Sequence, residues 1–143
     1  MCDAIVDRRW GILLAVVAAL GLHAPPPDAA AAGAYDGSRP MLCVPITVNE
    51  CRSNGECRRV TADSINLPQF LKVDVAAQKV HSEETSRVSP VRNVEHLNGK
   101  LIVQGGQDGR GWTLAISEET GKMSATITSD GESFVVFGAC TPQ

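Results

Sequence analysis

The chain has 143 residues, a formal net charge of −3 and 43% hydrophobic residues, with aromatics at only 4%. That is material for one packed domain; it leaves no room for a second of ordinary size and excludes disorder along the whole length. Mild acidity excludes a general nucleic-acid binder, which needs a basic surface to displace counterions from phosphates.

The first 34 residues read as an address. Arg8-Arg9 precede an uncharged apolar run over 11–22, and 24–34 follows with a proline run and then small residues. The apolar run is 12 residues long, well short of the about 20 that a bilayer core requires. It fits the hydrophobic region of a secretory signal, with Ala30-Ala31-Ala32 and Ala32-Gly33-Ala34 as cleavage sites. The arginine pair loosely fits a twin-arginine signal, but Asp3 and Asp7 offset its charge and the general secretory route is preferred. Cys2 lies before the apolar run, where a lipoprotein cysteine would follow it, so no stable membrane anchor is expected. The division expected is 1–34 as signal peptide and processing region and 35–143 as a single disulfide-linked β domain, periplasmic or secreted.

From Met41 onward apolar residues mostly alternate and turn residues recur at short intervals. The first strand is expected over 41–49, with Pro45 confining it to an edge or a bulge. A short strand follows over 57–60, then a capped helical turn at Thr61-Ala62-Asp63-Ser64, stopped by Pro68. Residues 70–75 alternate, with Leu71, Val73 and Val75 on one face, and 79–81 returns beside them. The stretches 91–97 and 100–104 flank Asn98-Gly99, a strong hairpin signal. Segment 112–117 places Trp112, Leu114 and Ile116 on one face, and 122–128 aligns Met123, Ala125 and Ile127. The last, 133–139, is so continuously apolar that it reads as a strand buried on both faces. Eight or nine short strands without long helical patterns predict an all-β fold: a small antiparallel meander, as an up-and-down barrel or a strongly curled sheet, with one short helical turn.

Four cysteines remain after the signal region: Cys43, Cys51, Cys57 and Cys140. An even count in a short exported chain reads as two disulfides. The expected pairs are Cys51–Cys57, closing a loop around Ser53-Asn54-Gly55, and Cys43–Cys140, tying the first strand to the last. In the chain-entropy picture these contribute roughly 2–2.5 and about 4.7 kcal/mol. Zinc would need C-x-x-C pairs or finger spacing, whereas the intervals here are seven, five and eighty-two residues, so no metal or other cofactor is expected.

The most unusual segment is 105–111 (GGQDGRG), read as a glycine-rich loop. Gln107, Asp108 and Arg110 there can hydrogen-bond a polar ligand beside Trp112. It is not a P-loop: it lacks Gly-Lys-Ser/Thr and leads into a strand. Glu83-Glu84 and Glu118-Glu119 sit in polar turns with no apolar surroundings to separate their pKa values. Asp63-Ser64 with His81 or His96 makes only a nominal triad, without a nucleophile elbow. Arg52, Arg58 and Arg59 form a local basic patch that Glu50 and Glu56 neutralise in part. In architecture, with no matching motif, the layout resembles small periplasmic β-barrel inhibitors and calycin-like binders. The expected role is a binding or inhibitory module, not an enzyme, whose partner is a protein, a glycan or a small molecule. The alternatives are a structural accessory subunit of an envelope complex and, less favoured, a small hydrolase.

Overall fold

A computed structural model describes residues 34–143, so the signal-peptide reading lies almost wholly outside the described residues. Nine strands follow in chain order: β1 Met41–Arg52, β2 Cys57–Val60, β3 Leu71–Asp74, β4 Lys79–His81, β5 Val88–Leu97, β6 Lys100–Gln107, β7 Arg110–Ser117, β8 Lys122–Ser129 and β9 Glu132–Pro142. A single turn of 3-10 helix, Asp63–Ile65, stands between β2 and β3. It overlaps the turn the sequence suggests but starts two residues later, with Ala62 as an N-cap that offers no side-chain bond. The Ser64 backbone N–H donates to Oγ1 of Thr61, which stands just before the turn.

Every pairing is antiparallel, and β1 bonds β9 on one side and β3 on the other, which closes the sheet. The eight strands β1 and β3–β9 therefore form an up-and-down barrel. β2 is the extra strand, a hairpin arm on the far half of β1. Closure depends on β1 serving two neighbours in succession: its first residues pair β3 and its last pair β2. The β1–β9 register shifts between Pro45 and Thr47, the bulge that a proline without an N–H imposes on a paired strand.

Both disulfides form as expected, Cys43–Cys140 and Cys51–Cys57. Each joins residues that are direct cross-strand partners, and Cys43–Cys140 lies across the seam that closes the barrel. Two such bonds fit an oxidising, extracytoplasmic environment.

Cross-strand partners share a face, so the register defines the interior. Val103, Leu114, Ala125, Val136 and Val48 form one inward row, and Leu101, Ile116 and Met123 form the next. Most of these are buried. β9 differs from its sequence reading: Phe134 and Val136 face inward, but Phe137 is 49% exposed. The strand alternates like the others, because a single-layer barrel has only one buried face.

The two ends differ. One carries the Asn98-Gly99 turn and residues 34–40, which plug it: Tyr35 packs against the core, and a Cβ on buried Gly37 (φ +81°) would fall 2.8 Å from Val75 Cγ2. The other carries the connections 61–70 and 82–87 and the turn Asp108-Gly109.

Candidate functional site

A cavity of about 450 Å³ opens at this second end and runs into the barrel. Its deep wall is apolar, built from Leu114, Met123, Ile127, Phe134 and Val136 together with the Cys43 arm of the seam disulfide. Eight strands enclose just enough space to be filled by side chains or to hold one small ligand. Here Ala125 and Ser89 supply small groups at inward positions, and the interior stays open.

Gln107, Asp108, Arg110 and Trp112 all line this cavity, so the four residues singled out from sequence do come together. The segment that carries them is not a loop. Gly105, Gly106 and Gln107 belong to β6, Arg110 and Gly111 to β7, and only Asp108-Gly109 turn. Both turn residues have positive φ, 52° and 75°, as a two-residue type I′ hairpin requires. The glycines before it serve packing instead of freedom. A Cβ on Gly105 would fall 2.6 Å from Trp112 Cε2, and closer still to Cζ2 and to the Pro90 carbonyl oxygen. The indole of Trp112 lies across its cross-strand partner Gly105, a close approach that strand glycines allow. Its Nε1–H donates to Ser89 Oγ at 2.8 Å, which fixes the ring against the cavity wall. Strand alternation then sets Arg110, two residues before Trp112, on the inward side, with its partner Gln107 opposite.

Sequence reasoning passed over half of the mouth. Ser82 is only 3% exposed, lines the cavity, and its Oγ has no hydrogen-bond partner among the described residues. It continues the inward alternation of Val73-paired Val80, a signal hidden because Ser82 begins a stretch that reads as polar turn. Arg87 lines the same rim, and its Nη1 donates to the Asn66 carbonyl at 2.7 Å. With the Gln69 N–H donating to Glu84 at 3.2 Å, this clips the 61–70 connection to the 82–87 connection. Ile65 and Leu67 then lean over part of the opening.

The remaining sequence candidates stand elsewhere. Arg52 and Arg58 both bond the buried Glu50, each at 2.9 Å, and Arg59 donates to Thr47 Oγ1. Glu56 bonds Asn54 instead of the arginines. These arginine bonds, Arg52 first, hold the Glu50 carboxyl below its ordinary pKa. Glu118 meets His96 Nδ1 at 2.6 Å at the plugged end, remote from Asp63 and Ser64, whose hydroxyl donates to the Thr61 carbonyl. His81 borders the cavity with Nδ1 unpartnered, but its strand partners Lys72 and Val88 lie on the outer face. Compared with protein-family models and with curated protein sequences, the chain matches none.

Proposed function

We propose that this protein is an exported, non-catalytic binding module that takes a small, largely apolar ligand into the barrel interior. The observation that carries this reading is the cavity itself: about 450 Å³ with apolar depth and a few polar groups at the mouth. That volume falls in the range of about 300–1,000 Å³ typical of small-molecule sites. The apolar 11–22 run and the two disulfides support a periplasmic or secreted protein. A non-catalytic role is supported by the placement of the candidates. Glu118 and His96 sit at the plugged end, the Ser64 hydroxyl is spent on the Thr61 carbonyl, and neither glutamate pair lines the cavity. His81 borders it from a strand position whose partners lie on the outer face.

The test is titration with 1-aminoanthracene, a neutral fluorophore whose emission rises on leaving water. The expected result is saturable one-to-one enhancement in the native protein. It should be lost in Ala125→Phe or the milder Ala125→Leu, which fill the interior beside Leu114 and Val136, with the circular dichroism of a folded β protein retained. Absence of enhancement with the native protein, or equal enhancement in a folded filled variant, would refute an interior site.

A further inference from the structure

We infer that the ligand of this cavity is a single-chain anionic amphiphile, a fatty-acid-like carboxylate, held tail-inward with its head at Arg87 and Arg110. This inference rests on the barrel interior being a binding site and deepens that reading. Three observations at the mouth lead to it.

The first is unpaired positive charge. Ion pairs among the described residues involve Arg52, Arg58 and His96, so neither Arg87 nor Arg110 has a carboxylate within 4.0 Å. Both line the cavity, and the register turns Arg110 inward. Asp108 is the one acidic side chain of the lining and sits at the tip of the β6–β7 turn. Two guanidinium groups against one turn-tip carboxylate leave the cavity lining net positive, with Glu84 turned to the Gln69 N–H and outside that lining.

The second is pre-orientation. The Asn66 carbonyl holds Arg87 through Nη1, which leaves the other donors of its planar fork for an acceptor. Guanidinium and carboxylate geometries match in pairs of parallel hydrogen bonds, and arginine keeps its charge when partly desolvated.

The third is hydroxyl groups below the rim. Buried Ser82 carries an unpartnered hydroxyl. Ser89, which accepts the Trp112 N–H, still has its own O–H to donate. A buried polar group without a partner is costly, and an oxygen-bearing head entering between the arginines satisfies both serines. Below them the wall is apolar as far as Met123 and Val136, which suits an alkyl chain and nothing charged.

The experiment displaces bound 1-aminoanthracene with three probes of equal chain length, all below their micellar concentrations: laurate, dodecanol and dodecyltrimethylammonium. Laurate should bind about tenfold or more tighter than dodecanol, as expected for hydrogen bonds to a charged group, and the cation should bind most weakly. Arg110→Gln and Arg87→Gln should each weaken laurate about tenfold; Arg110→Gln should weaken laurate far more than the neutral fluorophore, and Arg110→Lys should partly restore laurate. Because Arg87→Gln also loosens the 61–70 connection, Arg110→Gln decides. Equal affinity for laurate and dodecanol, or unchanged laurate affinity in folded Arg110→Gln, overturns the anionic head while leaving the interior site standing. If the fluorophore itself fails to bind the native protein, the interior site and this inference fall together.

Discussion

Replacing Gly105 by alanine adds a single methyl group to a strand interior, a change that ordinarily helps a strand. The surroundings reverse the sign. The new Cβ would fall 2.6 Å from Trp112 Cε2 and nearer still to the Pro90 carbonyl oxygen. The indole is tethered to Ser89, and the carbonyl belongs to the neighbouring β5 backbone, so neither yields cheaply. Overpacking of a formed interior costs about 1–3 kcal/mol, and with backbone on one side the upper end applies. Reduced freedom of the unfolded chain returns about 0.4–1 kcal/mol, for a net loss of about 2 kcal/mol. In a domain of this size that lowers the melting temperature by about 8 °C. The contrast is Gly111→Ala in the same hairpin, where the nearest atom to the new Cβ is Thr128 Oγ1 at an ordinary 3.5 Å; it should be neutral or stabilising by about 0.5 kcal/mol. Thermal unfolding followed by circular dichroism measures both, and tryptophan emission reports displacement of the Trp112 ring. If Gly105→Ala melts with the parent protein, or the two variants shift together, the packing account of this hairpin is wrong.

Opening the seam disulfide by Cys43→Ser with Cys140→Ser should cost more stability than Cys51→Ser with Cys57→Ser, since the cross-links span 97 and 6 residues of sequence; chain entropy alone gives a difference of about 2.5 kcal/mol, read from urea unfolding. Glu50 supplies a pH dependence: its carboxyl is held below the ordinary value of 4.5 by Arg52 and Arg58. A depressed folded pKa contributes stability above the ordinary pKa, and that contribution is lost as pH falls through the folded one. Glu50→Gln should therefore flatten the decline in stability below about pH 4.5; an unchanged acid limb of the stability profile would exclude these bonds as its source.

Much of the fold was legible in period-two alternation and turn chemistry. Asn98-Gly99 announced its hairpin because both residues tolerate positive φ, observed at 49° and 73°, and Pro45 announced its bulge because it has no N–H to pair. The pairing of Cys43 with Cys140 followed from an even count and the placement of one on the first strand and one on the last. The 105–111 segment misled for a physical reason: glycine marks both a turn and a close approach, and only the Trp112 ring across the sheet separates the two meanings. The apolar run at the end of the chain misled similarly, since composition does not say whether one face or two will be covered.

The candidate site divides along the same line. Gln107, Asp108, Arg110 and Trp112 were visible as a cluster because they are neighbours in sequence. Ser82, Arg87 and Ser89 belong to the β4–β5 hairpin, and what brings them to that cluster is the curl of the sheet across β5, β6 and β7, which turns both hairpins toward one interior and which no local window contains. By itself the sequence determined the strands, their turns, the cross-links and which residues point to the same side. Tertiary structure alone decided that the inward side encloses space instead of filling it, because the volume left over depends on how eight tilted strands meet, with alanine and serine at inward positions.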